Sequence, residues 1–313
     1  MAKYLVTGGA GFIGSSIAEE LLAKGEKVRI LDDLSTGRRS NVESLKGDFE
    51  FIEGTICDPA TAARAVKGVE VVFHQAAIPS VVRSVEDPVT SMAANVQGMT
   101  VLLDAARHAK VRRLLFAASS AAYGDTPTLP KIETMPPDPL SPYAVSKLCG
   151  EHLLKVFASL YGLETLSLRY FNVFGPRQDP ASHYAAVIPK FITCAIRKER
   201  PTVFGDGGQT RDFCFIENTV SANLLGASCA SKLSGQVVNI ACGDRISLNQ
   251  LLEIIGGLAG EPLRAEYTEG RAGDVRDSLA DIGAARRLIG YEPRVDVHQG
   301  LKKTFEAFKT FTR

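Results

Sequence analysis

Tyr4-Leu-Val-Thr-Gly-Gly-Ala-Gly-Phe-Ile-Gly14 opens on strand formers, places glycines at 8, 11 and 14, and runs into a helical pattern carried by Ile17, Leu21 and Leu22. A strand, a glycine turn and a helix in that order suit a dinucleotide pyrophosphate. Gly8 permits the tight turn, Gly11 lets the backbone approach the phosphates, and Gly14 lets the helix pack on the strand. The first helical amides, those of Phe12, Ile13 and Gly14, then face the anion. Glycine turns are common, and context is what strengthens this one: a second apolar run ends in Asp32-Asp33, about 20 residues after the turn.

Outward from that stretch, strand-like runs at 4–8, 27–32, 49–54, 70–75, 112–118 and 164–171 alternate with helical patterns near 12–24, 59–67, 89–109 and 142–161. The alternation predicts an α/β fold, a Rossmann-type doubly wound parallel sheet with helices on both faces. After about residue 172 the loops lengthen and fill with Gly, Arg and Asp, as in Phe204-Gly-Asp-Gly-Gly-Gln-Thr-Arg-Asp212. The expected division is a cofactor domain over 1–172 and a smaller α/β substrate-binding domain over 173–313, with 236–241 able to return to the first. The 313-residue chain is 45% hydrophobic and 23% charged with a formal net charge of +1, so nothing favours nucleic acid or an anionic membrane as partner. No apolar run approaches the ~20 residues that span a bilayer, and strand-like sequence from Tyr4 leaves no space for a signal peptide. The six cysteines are scattered without a C-x-x-C pair and read as reduced thiols. No metal site is expected, and the expected location is the cytoplasm.

A second stretch, Leu114-Leu-Phe-Ala-Ala-Ser-Ser-Ala-Ala-Tyr-Gly124, reads as a buried strand that delivers Ser119 and Ser120 to the carboxyl edge of the sheet, where ligands sit in open α/β folds. Small polar residues capping a strand would explain it equally well. A third stretch, Ser141-Pro-Tyr-Ala-Val-Ser-Lys147, tips the balance. Ser141 is a good N-cap and Pro142 suits the first helical position, so Tyr143 and Lys147, four apart, share one helix face. A phenol with an ordinary pKa of about 10 is a poor base near neutrality. A neighbouring ammonium, aided by an oxidised nicotinamide, is expected to lower it. His74 invites a metal or base reading, but no other His or Cys is spaced to help it, and a structural role is expected.

Together Gly8, Gly11, Gly14, Ser119, Tyr143 and Lys147 resemble the extended short-chain dehydrogenase/reductase family over essentially the whole chain. Within it the chain looks most like the UDP-hexose 4-epimerases, particularly those acting on UDP-N-acetylglucosamine. That narrower likeness rests on 117–124, Leu168-Arg-Tyr-Phe-Asn-Val-Phe-Gly175, Ala185-Ala-Val-Ile-Pro-Lys190, Arg211-Asp-Phe213 and Arg271-Ala-Gly-Asp274. The resemblance implies NAD as a retained prosthetic group. Tyr143 takes the proton from the sugar O4, Ser119 hydrogen-bonds that oxygen, and C4 gives its hydride to NAD. The 4-keto sugar turns over before hydride returns to its other face. The resemblance also implies Asp32 on the adenosine ribose, which favours NAD over NADP; Arg38 and Arg39 leave a 2′-phosphate as the minor alternative. It places Asp58 beside the adenine, Gln75 and Ala76 in the turn passing the cofactor phosphates, and Asn95 behind the nicotinamide pocket. The family usually carries an aspartate where this chain has Thr55.

For a UDP-sugar the resemblance implies Asn172 on the sugar and diphosphate, and Arg211 and Arg271 on the phosphates. Asp274 is implied on the uridine ribose, Val187 beside the uracil, and Ser119 with Ser120 at the sugar. Related dehydratases carry an acidic pair, and decarboxylases a glutamate, just before the Tyr-Gly of the serine strand. Ser120-Ala121-Ala122 here points instead to epimerisation; a UDP-uronic acid 4-epimerase on the same scaffold is the alternative, and it would want a dedicated cationic or amide partner that the sequence does not place. Ser278 stands where epimerases restricted to unacetylated sugars carry a bulky tyrosine, leaving room for an N-acetyl group; an ordinary loop residue is the plainer alternative. The family further implies a homodimer joined through the helices 89–109 and 142–161. Their apolar residues (Met92, Met99, Leu102, Leu103; Leu148, Leu153, Leu154, Phe157) are equally explained by packing on the sheet.

Overall fold

Runs such as Val71-Val-Phe-His74, buried at every position, can only be strands covered on both faces. In the computed structural model, which describes residues 2–179, 186–270 and 275–311, seven strands form one parallel sheet, the central ones buried almost throughout and the edge strand Phe49–Glu53 partly exposed. They are β1 (Tyr4–Thr7), β2 (Val28–Asp32), β3 (Phe49–Glu53), β4 (Val71–His74), β5 (Arg113–Ser119), β6 (Glu164–Tyr170) and β7 (Gln236–Ile240), in the order β7-β6-β5-β4-β1-β2-β3. Because all run the same way, β1, β2, β4, β5 and β6 end at one edge, and the order reverses between β1 and β4. A crevice opens at such a reversal.

Neighbouring residues of a strand feed opposite cores. Val6, Phe73, Leu115 and Leu166 belong to one hydrophobic cluster, with the helices Phe12–Ala23 and Ile216–Ser228 packed on that face. Leu5, Val72 and Leu114 belong to the other, beneath Pro59–Val66, Gly98–His108 and Pro142–Tyr161. Met99, Leu102, Leu103, Leu154 and Phe157 are buried inside this second core, which favours sheet packing over subunit contact for those side chains.

The helical pattern expected over 89–109 is three pieces: Pro88–Met92, a π-helical turn over Ala93–Gln97, and Gly98–His108. The short helices Arg39–Glu43 and Val81–Glu86 carry too few residues to show a period. Beyond β6 the remaining pairings are two or three residues long: Val173–Phe174 with Cys214–Phe215, Thr210–Arg211 with Ile246–Ser247, and Thr202–Phe204 with Glu266–Thr268. Residues 216–240 pack with the main sheet, through the helix Ile216–Ser228 and β7. Among the described residues no helix is long and apolar enough to cross a membrane, and no cluster of His, Cys, Asp or Glu could hold a metal ion.

Candidate active site

The strand reversal opens into a cavity of about 610 Å³ lined by Gly8, Gly11, Phe12, Ile13 and Gly14 at one end. Gly8 has φ +69°, and a Cβ there would lie 2.6 Å from the Ala76 amide nitrogen. A Cβ on Gly14 would lie 2.1 Å from the Gly8 carbonyl oxygen, so this glycine is required by the contact of turn and helix. Gly11 differs: its only close neighbour would be the Gly8 oxygen at 3.2 Å, which leaves its cavity side open. The helix Phe12–Ala23 has no side-chain N-cap and no acid in its first turn. Its first amides are therefore left to a ligand, and an anion suits them best.

Asp32, at the end of β2, lines the same cavity and is 7% exposed. Its carboxylate accepts from the Ala10 amide (2.9 Å) and the Leu34 amide (2.8 Å), while burial raises its pKa above the usual carboxylate range. Arg38 is paired with Asp179 and Arg39 with Glu53, so neither guanidinium stands uncommitted for a 2′-phosphate. Gln75, Ala76 and Thr55 also line the cavity. Two expected cofactor residues do not. Asp58 is exposed, and its carboxylate caps the helix Pro59–Val66 by accepting from the Thr61 amide at 2.9 Å. Asn95 spends its amide on the Ile78 backbone (2.8 and 3.2 Å) and on the Ser146 hydroxyl (3.0 Å), fixing the loop after β4 to the helix Pro142–Tyr161.

At the other end, Ser119 closes β5 and its hydroxyl accepts from the Ala121 amide at 3.1 Å. Ser141 caps the next helix through the Ala144 amide at 3.1 Å, and Tyr143 and Lys147 project from that helix onto the cavity wall beside Ser119. Ser120, half-buried, opens a single 3-10 turn and does not line the cavity. Lys147 donates to the Ala117 carbonyl at 2.8 Å and lies 5.8 Å from the Tyr143 ring centre. Burial pushes its pKa down to about 7. The lowered phenol pKa expected for Tyr143 is not present in the chain alone: burial raises it, and only hydrogen bonding with Ser119 opposes. An ammonium this desolvated is itself only about half charged near pH 7 and does little for its neighbour. His74 is buried, its pKa depressed to about 3 by burial and Lys147, and it hydrogen-bonds the Thr7 hydroxyl at 2.8 Å; it is a neutral structural imidazole.

Asn172 and Val173 lead from this cavity into a second, of about 290 Å³, which also contains Val187 and Arg211 and has apolar walls that include Phe191 and Phe213. Asn172 has φ +34°, a left-handed backbone that asparagine tolerates better than most residues. Its side-chain amide donates to the Asp212 carbonyl (3.0 Å) and the Ser278 hydroxyl (3.3 Å), joining these expected positions. Arg211 donates to the carbonyls of Thr210 and Arg276. Arg271 and Asp274 lie outside the described residues. Sequence reasoning missed Arg83 and Gln178 in the first cavity and Gln209 in the second. The Oε1 atoms of both glutamines are buried with no partner among the described residues, which invites a ligand donor. No motif marks these residues, because only the folded loops bring them to a cavity wall.

Residues 4–241 match the NAD dependent epimerase/dehydratase family. The chain is 40% identical over 311 residues to a UDP-glucose 4-epimerase of Mycolicibacterium smegmatis, covering 98% of each. It superimposes with a TM-score of 0.93 on a UDP-N-acetylglucosamine 4-epimerase from Methanobrevibacter ruminantium in complex with UDP-N-acetylmuramic acid, at 37% identity and 99% coverage of each chain. A Thermus thermophilus UDP-glucose 4-epimerase complexed with NAD matches with a TM-score of 0.88, at 35% identity and 98% coverage of each.

Proposed function

This chain belongs to the NAD dependent epimerase/dehydratase family, and we propose that it interconverts UDP-hexoses at C4, taking UDP-GlcNAc/UDP-GalNAc and also UDP-Glc/UDP-Gal. The observation that carries the reading is the convergence of Ser119, Tyr143 and Lys147 on one cavity wall, at the end away from the glycine turn. The cofactor is NAD, which when bound takes hydride from the sugar C4 and later returns it, so that the isomerisation has no net redox. Gly11 and the amides at the start of Phe12–Ala23 would hold its pyrophosphate and Asp32 the adenosine ribose. Tyr143 accepts the O4 proton and gives it back, with Ser119 holding the same oxygen. Lys147, poised near its titration point, becomes fully charged when a phenolate forms beside it and stabilises that anion. No carboxylate stands at Ser120-Ala121-Ala122 to expel water from the 4-keto sugar.

Asn172 and Arg211 hold the diphosphate side of the substrate, and Val187 flanks the base in the second cavity. Ser278 keeps the sugar pocket wide enough for an N-acetyl group, and its bond to Asn172 supports that placement. The substrate half of the molecule comprises 173–215 and 241–313, with 216–240 belonging to the cofactor half. A homodimer is part of the reading, formed not by the buried residues named from the sequence but by exposed ones. Val145, Val156 and Leu160 are 38%, 48% and 68% exposed on the helix Pro142–Tyr161, and Val89, on the helix Pro88–Met92 that packs against it, is 79% exposed. A cytoplasmic setting agrees with six free cysteines.

The purified protein, with no cofactor added, is incubated separately with UDP-GlcNAc and UDP-Glc while the anomeric protons are followed by NMR. Galacto signals from both confirm the broad reading, and signals from UDP-GlcNAc alone narrow it to acetylated sugars. Absence of turnover of either, even with NAD supplied, refutes it.

A further inference from the structure

Asp212 is fully buried between the two loops that carry the proposed substrate residues, yet it lines neither of the two cavities described above. One carboxylate oxygen accepts from the Cys242 amide at 2.9 Å, and the other from the Gly243 amide at 3.1 Å and the Ala280 amide at 3.3 Å. Its own carbonyl accepts from Asn172 at 3.0 Å. Through its carboxylate and its main-chain carbonyl Asp212 thus ties four segments together: the turn after β6, its own Thr210–Phe215 segment, the loop just past β7, and the loop that runs from Ser278 to Ala280. Nothing in this arrangement resembles an ordinary ion pair. Among the described residues the titratable groups that face Asp212 are Asp244 just past the bound amides, the Cys214 and Cys242 thiols and the Tyr291 phenol, and none of these is cationic.

An acid buried without a cation is costly, and it persists where its geometry is needed. We infer that Asp212 is a positioning residue for the UDP-sugar: its ionised carboxylate holds Asn172, Arg211 and Ser278 in mutual register, so that substrate affinity, and not the chemical step, depends on it. The inference rests on the epimerase reading. Three amides can be satisfied by a carboxylate because it offers only acceptors. A protonated acid offers weaker acceptors and adds a donor, and an asparagine must turn its amide nitrogen toward at least one of them. That contact opens, and Asn172 and Ser278 shift with the backbone. Burial raises the Asp212 pKa to about 6, against the opposing pull of the three amides, and Asp244 adds to the rise. The folded protein therefore loses this anion as pH falls through about 6.

The test is Asp212→Asn, with Asp244→Asn as a second variant. KM and kcat for UDP-GlcNAc or UDP-Glc are measured from pH 5 to 8, and UDP binding is measured by calorimetry at pH 8. For Asp212→Asn we expect KM to rise roughly 10-fold at pH 8, UDP binding to weaken to a similar extent, and kcat to stay within about twofold, since misplacement of a binding group by even about 1 Å costs up to ~10²-fold. Wild-type KM rises as pH falls below about 6; Asp212→Asn lacks that rise, and Asp244→Asn moves it to lower pH while leaving KM at pH 8 alone. A folded Asp212→Asn protein with wild-type KM and UDP affinity overturns the inference. So does a variant that loses thermal stability and kcat together while keeping the acidic rise in KM. A wild type that binds UDP and turns over UDP-sugar in those same runs keeps the epimerase reading intact. A wild type that does neither refutes both.

Discussion

The two halves of the site are built differently. The cofactor half comes from contiguous stretches at the ends of adjacent parallel strands: Gly8 to Gly14 after β1, Asp32 ending β2, Gln75 and Ala76 after β4, Ser119 ending β5. Each lies where it does because its own strand places it there. The proposed substrate half draws on Asn172, Val187, Arg211 and Ser278, which are far apart in the chain and sit on loops, a two-residue strand and the first turn of the helix Val187–Arg197. Nothing local fixes those positions, so the fold spends buried hydrogen bonds on them, those of Asp212 foremost. On the proposed assignment, the difference teaches that the cofactor is held at the ends of sheet strands and the proton chemistry on one capped helix beside Ser119, whereas the groups facing the sugar nucleotide sit on parts that only tertiary contacts hold in place.

If that contrast is right, the largest effect belongs to the sheet-edge chemistry. Tyr143→Phe should lower kcat by about 10²–10⁴-fold, while leaving NAD in the purified protein by absorbance and mass spectrometry; retained turnover would remove the assigned base. Gly14→Ala comes next. Its Cβ would meet the Gly8 oxygen at 2.1 Å, so the turn must shift; we expect a loss of about 1–3 kcal/mol in denaturant unfolding, together with much of the bound NAD. Normal NAD content in this variant would break the claim that the turn is locally determined.

Ser278→Tyr should then act on the other half alone. Turnover of the N-acetylated pair should fall roughly 10-fold relative to UDP-Glc/UDP-Gal, about the ~1–3 kcal/mol that pocket size is worth. An unchanged ratio would sink the role of Ser278. The smallest effect is on stability. A lysine whose folded pKa is lowered from 10.5 to about 7 holds fewer protons than its unfolded form between those values. Stability therefore rises across that range, and below it the full penalty is present. Lys147→Met should accordingly raise the Tm of the NAD-stripped protein at pH 6 by a few degrees, with the gain shrinking by pH 9. A Tm that falls equally at both pH values would show that packing, not charge, governs Lys147.

The sequence by itself determined the parallel sheet and the alternation of its strands with helices, and it marked Gly8, Gly11, Gly14, Asp32, Gln75 and Ala76, which the fold brings to one cavity, because apolar runs there alternate with turns of distinct composition. Tyr143 and Lys147 were legible for the same reason, a capped helix with a fixed four-residue repeat. The fold alone decided that Asp58 serves as a helix cap, that Asn95 pins a loop, and that Met99 and Leu154 are core. It also decided that Tyr143 stands in a desolvated wall, with its phenol pushed up rather than down. Burial and hydrogen-bond partners depend on what packs alongside, from 17 residues away for Ile78 on Asn95 to 68 for Ala280 on Asp212. No local pattern encodes such a neighbour. A stretch of chain states what it can form, and the packed structure settles which of its polar groups remain for a ligand.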